Sequence, residues 1–111
     1  MSYPSKNPDM KWIIAMTHRQ QYSSLCGNHD SRDPIKKLRD THQTRFEKYG
    51  VDFLFSGHAH NYQRTYPLSY NEINSSQPII NDNGKTDYTS PKGLFQIVVG
   101  TGGIDFDRFT N

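Results

Sequence analysis

Two histidines one residue apart follow an apolar run and a glycine in "FLFSGHAHNYQRTYP", residues 53 to 67, and a third, His18, follows the apolar run "KWIIAM", residues 11 to 16. Neutral imidazole is a common ligand for zinc, iron, manganese and related ions. In extended chain, residues two apart point to the same side, so His58 and His60 can address one cavity or two neighbouring ions. With His18 they would supply most of one metal site or parts of two. Gly57 is expected where the backbone turns and approaches a neighbour closely. The residues alone leave the plainer account open, because a histidine after a strand also serves as an ordinary polar loop side chain.

The elements that must position these groups are short. Residues 11–16 read as a buried strand with His18 just past its carboxyl end, and "VDFLFSG", residues 51–57, as a second strand. Between them, Asp33 before Pro34 is a helix start, and Ile35, Leu38, His42, Phe46 and Tyr49 recur at helical spacing until Gly50. A strand, a helix and a strand predict parallel pairing across the helix. In such sheets functional groups collect at the carboxyl ends of the strands, where His18 and His58 fall. "RQQYSSLCGNHDSRD", residues 19–33, reads as a loop. Residues 69–92, rich in Asn, Ser, Pro, Asp and Gly, read as a surface insert with one short strand near Ile79 and Ile80. "GLFQIVVGTGG", residues 93–103, resumes strand character and ends in glycines. The expected organisation is one partial domain over residues 1–111, with a core of 10–68 and 93–103.

Bulk properties narrow the function classes. Mean hydropathy of -0.88 and 32% hydrophobic residues over 111 positions are lean for a self-sufficient core. Thirteen basic and 11 acidic residues are dispersed, giving a net charge of +2 and no basic run suited to nucleic acid. The single cysteine, Cys26, excludes an internal disulfide. No apolar stretch approaches the roughly 20 residues that cross a bilayer, and the opening "MSYPSKNPDMK" lacks a signal peptide's apolar region. The compartment stays open. Asn74-Ser75-Ser76 fits a glycosylation sequon, a tripeptide common without function.

"GHAHNYQRTYPL" resembles the GHxH signature of the calcineurin-like metallophosphoesterases, and more narrowly the GHxHxYxRxxP form of purple acid phosphatases. "KWIIAMTHRQQYSS" is similar to that family's strand and histidine segment, W-[IV]-[IV]-x-x-x-H-R-P-x-Y-S-S. "LRDTHQTRFEKYGVDFLFSGH" resembles the link between the two motifs, and "GLFQIVVGTGG" the closing strand and glycine turn. The resemblance covers most of residues 10 to 103, in the expected order. It implies the C-terminal part of a four-layer α/β/β/α sandwich, incomplete here. The activity implied is hydrolysis of phosphate monoesters at a dinuclear metal centre, iron paired with zinc, manganese or a second iron. Two ions about 3.5 to 4 Å apart lower the pKa of a bound water and stabilise charge on the attacked phosphate.

Carried over residue by residue, the resemblance gives His18 and His58 to one ion and His60 to its neighbour. Tyr22, Asn61, Tyr62 and Arg64 would orient these ligands. The loop holding "GNHD", residues 27 to 30, corresponds to one that overhangs the metals, so His29 is either a donor to the substrate phosphate or an exposed loop side chain. The letters "GNHD" match the family's upstream Asn motif but fall after His18, on the wrong side of it. Gln20 stands where the family has proline, which is expected to loosen the chain after His18. Ten residues precede Lys11, and the family's Asp-bearing motifs are absent from them. Without a bridging carboxylate two cations would face only neutral imidazoles, so this chain alone is not expected to assemble the full centre. Two alternatives stand beside the monoesterase: a phosphodiesterase or nuclease of the same superfamily, and a non-catalytic remnant that binds one transition ion or needs a partner chain.

Overall fold

Each apolar run becomes a strand, and residues 21–22 and 70–76 are tied down by polar side chains. The computed structural model describes residues 8–23 and 33–106. Strand β1 is Ile14–Arg19, helix α1 Asp33–Lys48, β2 Phe53–Gly57, β3 Tyr62–Arg64, β4 Leu68–Ser69, β5 Ile79–Ile80 and β6 Phe95–Val99. β1, β2 and β6 run parallel and β3 antiparallel in a sheet of order β1-β2-β6-β3; β4 and β5 pair separately. The β1-α1-β2 unit is therefore the parallel pair that the sequence predicts.

Helix α1 begins with Asp33 and ends with Arg45 and Lys48 in its last turn, each sign favourable to the helix dipole. Gly50 closes it at a φ of 70°. The Gly50 N–H donates to Glu47 O at 3.1 Å and the Val51 N–H to Phe46 O at 2.9 Å, the bond pair of a Schellman cap. Val51 and Phe46 then pack in one cluster with Leu54, Leu94, Ile13 and Ala15. The sharp stop delivers the chain directly into β2.

Alternate residues give the sheet two unlike faces. Ala15, Leu54 and Gln96 share one row, and Thr17, Ser56 and Val98 another; this face meets α1. On the opposite face Ile14, Phe53 and Phe95 align, as do Met16, Phe55 and Ile97. There the Phe53 and Phe95 rings stack at 5.6 Å, with Trp12 beside Phe53 and Tyr88 edge-on to Phe95. Met16 is 82% exposed and Trp12 65%. The expectation of a buried first strand is thus corrected: β1 is the sheet's edge, and among the described residues no layer covers its outer face. The apolar residues there read as interior because their type, and not their surroundings, is what a sequence displays.

The helix stripe also differs from expectation. Its buried positions are Ile35, Arg39 and Gln43, one turn apart, while Tyr49 is exposed. Arg39 is fully buried and spans from the sheet side to the insert: Nη1 donates to Gln21 O at 2.9 Å, and Nη2 to Ser75 Oγ at 3.2 Å and Ser76 Oγ at 2.9 Å. Farther along, Glu47 accepts from the Tyr70 N–H at 2.7 Å and Asp40 from the Tyr70 hydroxyl at 2.9 Å. Residues 70–76 are therefore pinned to α1 by its polar face.

Asp40 makes this docking sensitive to acid. Burial opposes its charge, but hydrogen bonds from Lys36, Ser75 and Tyr70 together with the Lys36 charge prevail and lower its pKa from 3.8 to about 2. Burial first and Asp40 second push the Tyr70 phenol upward. A depressed carboxylate contributes stability that is present above its unfolded pKa and lost as pH falls through its folded one. The contribution is about 1 kcal/mol after allowance for its partial exposure. Unfolding by urea between about pH 5 and pH 2 should show this loss, and Asp40→Asn should flatten it.

Candidate metal centre

His18, His58 and His60 line one cavity of about 340 Å³ at the carboxyl end of the parallel strands, together with Gly57, Val99, Gly100, Gly102 and Ile104. Two local irregularities bring them there. In the β1–β2 ladder Thr17 pairs with Ser56 but Arg19 pairs with Gly57, so His18 is the extra residue of a bulge. Bulges re-aim a side chain beside functional sites. The Thr17 hydroxyl closes over this one, donating to Arg19 O at 2.9 Å. His18 thus lies within β1, one residue before its end, and not just past it as the sequence suggests.

His58 owes its direction to a tight turn. Its φ is 62°, and the Ala59 N–H donates back to Gly57 O at 2.7 Å, a three-residue turn centred on the histidine. Turns of this kind with positive φ are rare and strained. The extended chain expected for His58 to His60 is therefore corrected, although both imidazoles still line the cavity. The close approach expected at Gly57 is corrected too: a Cβ there would meet only His18 O, at an ordinary 3.7 Å.

The donor set suits a borderline transition ion. An imidazole on zinc at about 2.0–2.1 Å puts its ring centre about 3.2 Å from the ion, so two on a tetrahedral ion have centres about 5.2 Å apart. The His18 and His58 rings lie 5.5 Å apart with planes at 77°. An edge-to-face ring pair has the same spacing, so the chemistry of the donors distinguishes the two more than the distance does. Among the described residues, no three His, Cys, Asp or Glu side chains are close enough together to hold a single ion.

The other expected site residues scatter. Tyr22 and Arg64 border a different cavity, of about 310 Å³, with Gln63, Thr65 and Tyr66. Arg64 donates to Lys85 O at 3.1 Å and lies over the Tyr88 ring. Tyr62 is 58% exposed in β3, opposite Val99. Asn61 is buried next to His60; its Oδ1 accepts from Gln63 Nε2 at 2.7 Å and its carbonyl accepts from the Gly100 N–H at 3.1 Å. His29, with the rest of "GNHD", lies outside the described residues.

Sequence reasoning missed the groups that fix the chain after His18. Gln20, Gln21 and Tyr22 are buried, so the loosening expected from Gln20 does not occur over these residues. The buried Gln96 side chain accepts from the Gln21 and Tyr22 N–H groups at 2.9 and 3.3 Å and donates to Tyr22 O. Arg39 takes the Gln21 carbonyl. A glutamine inside an otherwise apolar β6 was the one available signal.

A mixed α/β sheet with histidines gathered at the carboxyl ends of its parallel strands is the class that fold and site define. No family model matches the chain. It is 35% identical over 107 residues to mouse (Mus musculus) acid phosphatase type 7, an alignment covering 85% of this chain and 22% of that protein. To the Fe(3+)-Zn(2+) purple acid phosphatase 12 of Arabidopsis thaliana it is 32% identical over 95 residues, covering 83% of the chain and 18% of the relative. Other Arabidopsis relatives are named probable inactive purple acid phosphatases. The structure of purple acid phosphatase PPD1 from yellow lupin (Lupinus luteus) seeds superposes with a TM-score of 0.60 at 28% identity, over 89% of this chain and 17% of that one. The chain belongs to the purple acid phosphatase family of metallophosphoesterases, and its fold is that of part of such a domain. It spans 22% of the mouse relative and 12% of the acid phosphatase of Aspergillus ficuum.

Proposed function

We propose that this chain supplies three histidine ligands and one wall of a dinuclear centre that hydrolyses phosphate monoesters. The observation that carries the reading is the convergence of His18, His58 and His60 on one cavity. His18 and His58, whose rings are neighbours, would hold one ion, and His60 the second. Iron paired with zinc, manganese or iron suits nitrogen donors completed by carboxylates. When bound, two such ions activate water and neutralise charge on the phosphate. The chain's own part is to orient the imidazoles, through the bulge at His18 and the turn at His58, and to shape the cavity with Val99 and the glycines. Asn61 steadies the turn through its carbonyl, Tyr22 the segment after His18, and Tyr62 and Arg64 the two ends of β3. His29 is proposed as a donor to the substrate phosphate.

The test is turnover of an aryl phosphate monoester against the corresponding diester, with zinc and ferric iron supplied, by the chain and by any longer product of the same reading frame. The proposal predicts preference for the monoester wherever the histidines meet carboxylate ligands. Diester preference would favour the phosphodiesterase or nuclease reading. A second reading, a non-catalytic remnant that holds one transition ion or needs a partner chain, is favoured by the relatives named probable inactive purple acid phosphatases. One ion per chain and no turnover from any product of the frame would establish it.

A further inference from the structure

The turn that carries His58 and His60 is seated on a single glycine. A Cβ at Gly100, just beyond β6, would lie 1.8 Å from Ala59 O, 2.8 Å from its carbonyl carbon and 3.4 Å from His60 Cα. The first two are closer than real Cβ atoms come, and the obstacle is backbone, which cannot rotate away as a side chain can. From the other side the Gly100 N–H donates to Asn61 O at 3.1 Å, and the Ala59 N–H to Gly57 O at 2.7 Å. Ala59 itself is fully buried. The peptide between His58 and His60 is thus held flat against the end of β6, and its displacement moves both imidazoles. Gly100 has no left-handed φ, so the demand for glycine there is one of space alone. Gly102, two residues on and lining the same cavity, has nothing within 4 Å of its added Cβ.

We infer that Gly100 is a positioning residue of the histidine site: its missing side chain lets the Gly57–Asn61 turn dock on β6 and thereby sets the directions of His58 and His60. This rests on the reading that these histidines hold metal. The test uses the 111-residue chain, Gly100→Ala and Gly102→Ala. Cobalt(II), a visible stand-in for zinc, reports binding by its absorption, and imidazole NMR reports ring placement without metal. Gly100→Ala should bind cobalt about 10- to 100-fold more weakly and shift the His58 and His60 ring signals, with Leu54 and Val98 signals retained. Gly102→Ala, whose added Cβ meets nothing, should keep the parent's His58 and His60 ring signals. Parent-like cobalt affinity and ring signals in Gly100→Ala would overturn the inference. Should that variant not fold, hydrogen exchange of the parent decides: the seated turn protects the Gly100 amide relative to that of Gly102, and equal rates would reject it. A parent that takes up no cobalt would sink the metal reading alone, because ring signals and exchange still judge the seating.

Discussion

Arg39→Ala is expected to destabilise the fold by about 3 kcal/mol, a large part of a small domain's total. The guanidinium is buried, donates to one backbone carbonyl and two serine hydroxyls, and lies 5.1 Å over the Tyr22 ring. Its loss strands the Gln21 carbonyl in the interior and unpins residues 75 and 76 from α1. Arg39→Lys should recover little, since a point charge cannot serve three acceptors in that fork geometry. Urea unfolding followed by circular dichroism measures this as a lower midpoint at unchanged slope. A midpoint within error of the parent would mean that Gln96 and the strand ladder suffice to hold residues 20–22. The effect reaches the site, because that segment continues directly from His18.

The second large effect is a pair of opposite changes at His58. Replacing it by glycine should reduce zinc affinity by more than about 100-fold, as the ring facing His18 is gone. The same change should raise stability by about 1 kcal/mol, because glycine adopts a φ of 62° without the strain a histidine carries there. His58→Ala should lose zinc without that gain. Equilibrium dialysis and urea unfolding on the same samples test the pairing. Unchanged zinc uptake in both variants would sink the ligand assignment, and a destabilised His58→Gly would show that the turn is held by the histidine side chain.

How much of this was legible follows from what sequence patterns encode. The β1-α1-β2 unit was readable because helical spacing and the Asp33-Pro34 and Gly50 signals are local. β5 at Ile79 and Ile80 was readable for the same reason. Arg39 and Gln43 escaped notice because polar residues count as surface until their partners across the fold are known. Residues 70–76 read only as part of a surface insert for the same cause, since Tyr70 and Ser75 find Asp40, Glu47 and Arg39 only in three dimensions. At the site the residue types pointed to imidazole chemistry, but the means of aiming it did not. The bulge at His18 depends on the register with β2, and the turn at His58 on contact with Gly100, far along the chain. Gly57 next to the histidines drew the eye, while the cavity-lining glycine without room for a side chain was Gly100.

The zinc titration of the parent chain followed by imidazole NMR tests the central claim most directly. The account predicts that the His18 and His58 ring signals change together at the first equivalents of zinc, with His42 on the helix unaffected. Signals of His18 and His58 that stay fixed while zinc is taken up elsewhere, or no uptake at all, would contradict it.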